Sequence, residues 1–148
     1  MYKVCTIGDC YVIMGYSEPE DGRKRTDDDI GFECLNIVRV GLEMVKIIKK
    51  VNAETKSSLN MRIGIHTGSI IAGITGTNIV RYDIYGPDQL LANKMESEGV
   101  EGRVNVSEVT RGILDRIVPN EFKFTHNKAV DCIGIEGETD CYLISDDE

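Results

Sequence analysis

Two short strands joined by Gly8-Asp9 open this chain and restrict its fold more than any other segment. The stretch from Tyr2 to Val12 is typical of a hairpin, because glycine at the first turn position permits the positive φ of a tight type II′ turn. Such a turn sets the Asp9 carboxylate at the tip of a rigid ribbon, where it can ligate a hard divalent cation such as Mg²⁺. The alternative is an ordinary surface hairpin with a solvated aspartate, and this segment alone does not decide between them.

A long amphipathic helix is predicted from about Ile30 to about Thr55. Its apolar residues recur at three- and four-residue steps and define one face, which comprises Cys34, Ile37, Val38, Leu42, Val45, Ile48 and Val51. We expect this face to pack against a sheet. The polar stretch from Ser17 to Asp29 is predicted to be a loop whose Asp27-Asp28-Asp29 end charges the first turn of the helix.

The rest of the chain mixes strands and helices without a strict βαβ repeat. Predicted strands cover about Met61–His66, Ser69–Ile74, Ile79–Tyr85, Arg103–Val106, Phe122–Phe124, Ala129–Ile135 and Cys141–Ile144. Predicted helices cover Asp88–Glu98 and a segment capped by Ser107 that ends near Arg116. This order favours an α+β layered domain. His66 is expected to be a strand residue near the core.

Composition narrows the class of protein. The net charge of −8 argues against a nucleic-acid-binding surface. The five cysteines form no C-x-x-C pair, so they are expected to be reduced thiols and not a zinc site. No apolar run is long enough to cross a bilayer and no signal peptide is recognised, so we expect a cytoplasmic location, with membrane attachment only through other parts of a parent chain.

Four motifs carry a family resemblance. They are the Gly8-Asp9 hairpin, the run Met61-Arg62-Ile63-Gly64-Ile65-His66-Thr67-Gly68, the run from Tyr82-Asp83 to Met95-Glu96, and Gly102-Arg103-Val104-Asn105-Val106-Ser107. In this order and spacing they resemble the catalytic domain of class III adenylyl and guanylyl cyclases, from about residue 2 to residue 144.

The resemblance implies a fold and an activity. The fold would be a ferredoxin-like or palm-like α+β domain, with a mixed, mostly antiparallel sheet under helices and its first strand missing. Residues 1–148 would then form a single, partial cyclase homology domain. The activity would be conversion of ATP or GTP to the 3′,5′-cyclic nucleotide and pyrophosphate, with two Mg²⁺ or Mn²⁺ ions between two paired domains.

Three residues match the family's metal- and phosphate-binding positions. Asp9 matches the second metal-binding aspartate, and Gly8 beside it is a candidate phosphate-binding residue, although the family's phosphate-binding turn after the first strand is missing. Arg62 matches an arginine that reaches the phosphates, a task suited to a guanidinium because it stays charged and forks onto two oxygens. The alternative for Arg62 is a surface ion pair.

Other positions depart from the family. The partner-type domain carries a catalytic asparagine and, four residues later, an arginine, where this chain has Leu90 and Lys94. The chain therefore resembles the metal-bearing half of a pseudo-heterodimer and requires a complementary domain. The first metal aspartate lies on the missing strand, so the isolated chain is expected to be inactive. At the two base-recognition positions Cys5 and Asp83 fit neither the adenylyl nor the guanylyl pattern, which leaves ATP and GTP both open.

Two other hypotheses compete with the enzyme. A degenerate cyclase-homology domain retained for dimerisation or regulation would also lack the asparagine and arginine, although retention of Asp9 and Arg62 favours the enzyme. A diguanylate cyclase of similar architecture is disfavoured, because the Gly-Gly-Asp/Glu-Glu-Phe hairpin is missing from the sequence.

Overall fold

The computed structural model describes residues 1–146 and shows an α+β domain with eight strands and three helices among them. The strands are β1 (Tyr2–Ile7), β2 (Cys10–Met14), β3 (Ile63–Ile65), β4 (Ile71–Thr75), β5 (Arg81–Tyr85), β6 (Val104–Ser107), β7 (Phe122–Asp131) and β8 (Glu138–Asp146). The helices are α1 (Asp27–Thr55), α2 (Pro87–Ser97) and α3 (Glu108–Ile117). Within residues 1–146 no helix combines the length and apolar character needed to span a membrane.

The predicted hairpin is confirmed. Strands β1 and β2 are antiparallel, and Ile7 pairs with Cys10, so that Gly8 and Asp9 alone form the connecting loop. Gly8 has a φ of 62°, whereas Asp9 is not among the residues with positive φ. This combination is that of a type II′ turn and excludes type I′, which needs positive φ at both positions.

Helix α1 is confirmed, although it begins at Asp27 instead of Ile30. The earlier start has a local cause, because Thr26 caps the helix and forms a reciprocal capping box with Asp29. The acidic triplet therefore lies in the first turn, as predicted. Of the expected core residues Val38 and Val45 are buried, while Ile37 and Ile48 are half-buried.

The main sheet has four strands in the order β3-β6-β8-β7. Strand β6 runs parallel to β3 and antiparallel to β8, and β8 is antiparallel to β7. The core forms where this sheet meets α1 and α3, and includes Leu35, Val38, Val104, Val106 and Leu114. Ser107 caps α3 as predicted, since its side chain accepts a hydrogen bond from the Thr110 amide.

The expectation of one sheet is corrected by the strand pairing. The described strands form three separate sheets, because β1-β2 and β4-β5 are two-stranded ribbons apart from the four-stranded sheet. Each of β2 and β3 therefore has only one pairing partner within residues 1–146. The two unpaired edges face a groove of about 460 Å³ lined in part by Val12–Gly15 and by Gly64–Thr67.

A second correction concerns the C-terminal strands. The sequence predicts separate strands at Phe122–Phe124 and Ala129–Ile135, whereas the structure has one continuous strand, β7, that ends at Asp131. Polar residues between the two apolar segments stay in the strand because β8 pairs along its whole length, with one irregularity between His126 and Lys128. Cross-strand pairing here overrides local polarity.

The β4–β5 ribbon is apolar and exposed. The exposed fraction is 72% for both Ile71 and Ile74, 78% for Ile79 and 61% for Val80. Isolated two-stranded ribbons are marginally stable in water, so this ribbon depends on its connection to the rest of the domain.

Candidate active site

Asp9 lies at the solvent-exposed tip of the β1–β2 hairpin, where the sequence analysis placed it. Its charge acts on the neighbouring side chains. Desolvation raises the pKa of the Cys10 thiol, and the carboxylates of Glu96 and Asp9 raise it further. The tip of the hairpin therefore lies in an acidic region to which α2 also contributes.

Arg62 lies directly before β3 and is exposed. Its Nε donates a hydrogen bond of 2.9 Å to Oε1 of Glu96 on α2. This bond, together with the charge of Glu96, raises the pKa of Arg62, and the more distant charges of Glu101 and Asp9 add to the shift. Arg62 and Asp9 thus belong to one region of the surface, although they are far apart in sequence.

Glu96 is a member of this region that sequence reasoning missed. It faces Arg62 because β3 packs directly on the backbone of α2 at Gly64, where a Cβ would overlap the amide of Glu96. A glycine in a strand is a known signal for close backbone approach, but the sequence does not say which element approaches. The contact between β3 and α2, and with it the position of Glu96, is therefore evident only from the structure.

Leu90 and Lys94 lie on α2 and offer no catalytic group. The Leu90 side chain is apolar and 46% exposed. Lys94 Nζ is 3.6 Å from Oε1 of Glu98, one helical turn away, so its charge is already paired. Neither residue can place a planar donor fork or an amide against a ribose.

Cys5 and Asp83 lie on neighbouring strands. Both are half-buried, on β1 and β5 respectively, and these two strands contact each other. Asp83 Oδ1 accepts a hydrogen bond of 2.8 Å from the amide of Ile84. The pair stays a prediction as a base-recognition site.

A buried polar network surrounds His66, whose side chain is only 3% exposed, in agreement with its predicted place near the core. Its Nδ1 is 2.7 Å from Ser107 Oγ and its Nε2 is 2.9 Å from Asp88 Oδ1. Ser107 Oγ in turn bonds Thr110 Oγ1, which bonds Thr67 Oγ1. Sequence reasoning missed this network, since its members come from three separate segments.

The donor set for a metal is incomplete in this part of the chain. Among residues 1–146 no three His, Cys, Asp or Glu side chains are grouped so that they could hold an ion. Asp9 fits one position of such a site, because it is an exposed carboxylate on a short rigid turn and hard cations prefer carboxylate oxygens.

Comparison with known proteins identifies the family of this chain. The family model for the adenylate and guanylate cyclase catalytic domain matches residues 1–146. The chain is 39% identical over 145 residues to a guanylate cyclase of Toxoplasma gondii, with 97% of the chain but 3% of that protein aligned. It is 34% identical over 150 residues to adenylate cyclase type 9 of Gallus gallus, with 97% of the chain and 10% of that protein aligned.

The fold has solved counterparts. The guanylate cyclase domain of a protein from Catenaria anguillulae, determined in complex with GTP, superposes with a TM-score of 0.76 at 26% identity. That match covers 99% of this chain and 73% of the Catenaria chain. This chain therefore spans a small part of the curated relatives and about three quarters of a solved cyclase domain. By its sequence and its fold it belongs to the family of adenylate and guanylate cyclase catalytic domains.

Proposed function

We propose that this chain is the metal-bearing half of a purine nucleotide cyclase, which converts ATP or GTP to the 3′,5′-cyclic nucleotide. In this reaction the ribose 3′-hydroxyl loses its proton to water and its oxygen bonds to the α-phosphorus. The bond from that phosphorus to the bridging oxygen breaks, and pyrophosphate leaves with its electron pair. The relatives bear the names of both guanylate and adenylate cyclases, so the purine stays open.

The observation that carries the proposal is the common location of Asp9 and Arg62. Both side chains are exposed, Asp9 on the β1–β2 turn and Arg62 directly before β3. The charge of Asp9 also contributes, after those of Glu96 and Glu101, to the raised pKa of Arg62. We assign Asp9 as a ligand of Mg²⁺ or Mn²⁺, which would supply positive charge to the triphosphate. Arg62 would hold phosphate oxygens, with Gly8 leaving room for the phosphates beside the turn.

The ion pair with Glu96 leaves the guanidinium of Arg62 able to bind an anion. In the free domain Glu96 accepts a hydrogen bond from Arg62 Nε, while the guanidinium retains further N–H donors. A triphosphate can therefore engage the remaining donors without breaking the pair. The side chains of Arg62 and Glu96 are 44% and 37% exposed, so a ligand can reach them from solvent.

The chain would act with a complementary domain. Leu90 and the paired Lys94 cannot take the place of the asparagine and arginine that position the ribose and stabilise the transition state. We propose that an unlike cyclase domain supplies them and also reads the purine. The exposed β4–β5 ribbon provides an apolar surface for this pairing. A guanylyl cyclase domain from Blastocladiella emersonii, similar in fold, is described in a non-canonical dimeric form and in a monomeric form.

A further strand would complete the sheet. Strands β2 and β3 are connected through α1 and each leaves one edge unpaired beside the groove between them. Strands that follow each other along the chain usually pair or lie close to each other. We propose that the complete domain has its first strand in this gap, and that residues 1–148 are part of that domain.

The five cysteines are free thiols, which supports a cytosolic location.

The test is cyclase activity of the complete domain paired with its complementary half. Replacement Asp9→Ala should lower turnover by about two orders of magnitude or more, since it removes charge stabilisation of the transferring phosphoryl group. Asp115→Ala is the matched control, because Asp115 is an exposed carboxylate that pairs with Arg111 on its own helix. Cyclic product is measured separately with ATP and GTP. Full activity of the Asp9→Ala pair would overturn the assignment.

A further inference from the structure

Asp88 joins two parts of the molecule through its two carboxylate oxygens. Oδ1 lies 2.9 Å from Nε2 of His66, and Oδ2 accepts a hydrogen bond of 2.7 Å from the amide of Ser69. Asp88 lies in the first turn of α2, where the helix dipole favours a negative charge. Neither contact belongs to the proposed metal or phosphate positions.

His66 anchors Asp88 to the core. With its Nδ1 bound to Ser107 and its Nε2 to Asp88, both ring nitrogens have partners. Ser107 is completely buried and caps α3, so this end of the network does not move without disturbing the packing of the helix. The bond from Thr110 Oγ1 to Thr67 Oγ1 adds a second connection between α3 and the segment after β3.

Asp88 also lies where both ends of the β4–β5 ribbon meet the domain. Ser69, which it holds, precedes β4 by two residues, and Gly86 and Pro87 connect β5 directly to α2. Gly86 has a φ of 126°, a backbone conformation that permits the sharp change of direction at this point. The carboxylate of Asp88 therefore lies beside both the segment that leads into the ribbon and the segment that leads out of it.

There is little free space around the hydrogen-bonded carboxylate of Asp88. A Cβ on Gly68 would overlap the Asp88 carboxylate. The Asp88 side chain is nevertheless 30% exposed, in contrast to 3% for His66. A change at Asp88 or Gly68 can therefore loosen the ribbon without opening the core.

We propose that Asp88 and His66 are positioning residues that fix the angle at which the β4–β5 ribbon leaves the domain, and so orient it for association with a second cyclase domain. This inference rests on the proposed function, in which the chain works as one half of a pair. The ribbon carries its apolar side chains in solvent, and its described strands hydrogen-bond only with each other. Strand β5 also contacts β1, so the bonds of Asp88 at the two ends of the ribbon act together with that contact in setting its direction.

The first experiment measures the ribbon angle without any partner domain. Spin labels are introduced through unnatural amino acids at Asn78, near the ribbon tip, and at Asn120, on the body, and their distance distribution is recorded at low protein concentration. Wild type should give one narrow distance. Gly68→Ala, which displaces Asp88, should lose that single distance, whereas Gly73→Ala should keep it, because a Cβ there meets no atom within 4 Å.

Asp88→Asn is the second variant, and it keeps the side-chain volume while removing one of the two acceptor oxygens. It should broaden the distance distribution as Gly68→Ala does, while the protein stays folded at the temperature of the measurement. A narrow wild-type distance in both variants would overturn the proposal. Asp115→Asn, on the exposed side of α3, controls for the loss of a carboxylate.

The second experiment measures the dissociation constant between the complete domain and a complementary half by sedimentation. Asp88→Asn should raise it about tenfold, the effect of losing one charge-assisted hydrogen bond, and Asp115→Asn should not. Ile74→Asp, on the ribbon surface, should prevent association. If Ile74→Asp associates like wild type, the ribbon is not the pairing surface and that part of the proposed function fails. The distance measurement still decides whether Asp88, which His66 anchors to the core, holds the ribbon.

Discussion

Arg62 illustrates how one residue fits two readings of the same sequence. The structure contains the surface ion pair that was the alternative, since Glu96 accepts its hydrogen bond. The same guanidinium retains donors for an anion and is influenced by the charge of Asp9. An ion pair in the free domain therefore does not argue against a phosphate-binding role.

We expect Arg62→Ala to weaken nucleotide binding by the paired domains at least about tenfold, because a charged hydrogen-bond donor to phosphate is lost. Thermal stability should hardly change, since the pair is exposed and such pairs contribute little. Arg39→Ala is the control, because it removes another exposed arginine–carboxylate pair, the one with Glu121. Calorimetric titration with a non-hydrolysable nucleotide measures the affinity, and an unchanged value would contradict the assignment.

At the scale of the element, the start of α1 depends on Asp29. Its carboxylate accepts hydrogen bonds from Arg23 and from Thr26, and these bonds, with that of Arg23 the largest, hold its pKa well below its usual range. A carboxylate whose pKa is lower in the folded than in the unfolded protein stabilises the fold at every pH at which it is ionised in both. This contribution is complete above the pKa of the unfolded chain, about 3.9, and is lost as the pH falls towards the folded value.

We therefore expect Asp29→Asn to lower the free energy of unfolding at neutral pH and to flatten the loss of stability below about pH 4. Urea unfolding at several pH values between neutral and acid measures both effects. Asp27→Asn removes an acid from the same helical turn without touching the bonds to Arg23, and serves as the control. An acid-unfolding profile of Asp29→Asn that is parallel to wild type would refute this account.

The contact between β3 and α2 allows a second test at this scale. Gly64→Ala would drive a methyl group into the helix backbone at Glu96 and Met95, so helix and strand must separate. We expect a loss of about 1–3 kcal/mol in the free energy of unfolding, as for other overpacked sites. Denaturant unfolding measures it. Gly73→Ala, where there is free space, should be close to neutral. Equal stability of the two variants would mean that β3 and α2 do not pack this closely.

At the scale of the whole molecule, the unpaired strand edges and the apolar ribbon favour association with another chain. Strands β2 and β3 each present an unpaired edge, and unpaired edges favour pairing with another chain. The β4–β5 ribbon adds exposed isoleucines. Both features lie on surfaces that the complete domain pair would cover.

We expect the isolated 148-residue chain to self-associate and to show no cyclase turnover. Asp9 alone cannot hold two cations on a triphosphate, and Leu90 cannot replace the missing asparagine. Sedimentation velocity at low concentration measures association, and an assay with Mn²⁺ and either ATP or GTP measures turnover. A clean monomer would contradict the first expectation and robust turnover the second. Turnover is expected only when the preceding segment and the complementary half are restored.

The predictable parts of the fold share a local origin. Gly8 and Asp9 predict the hairpin because turn geometry depends on adjacent residues. The period of the apolar residues predicts α1, and Ser107 predicts the start of α3, for the same reason. The missed start of α1 at Asp27 also has a local signal, the capping box of Thr26 and Asp29, which could have been recognised.

The other features of the fold and of the site depend on contacts between segments that are distant in the sequence. The sequence by itself determined the hairpin that carries Asp9, the strand neighbourhood of Arg62 and the motifs of the cyclase family. Only the tertiary structure decided that Glu96 pairs with Arg62, that β7 is continuous, and that His66 and Asp88 tie the ribbon to the core. Turns and periodicity are set by neighbours in the chain. Partners of charged and buried polar groups are set by which elements pack together, and that packing is a property of the whole fold.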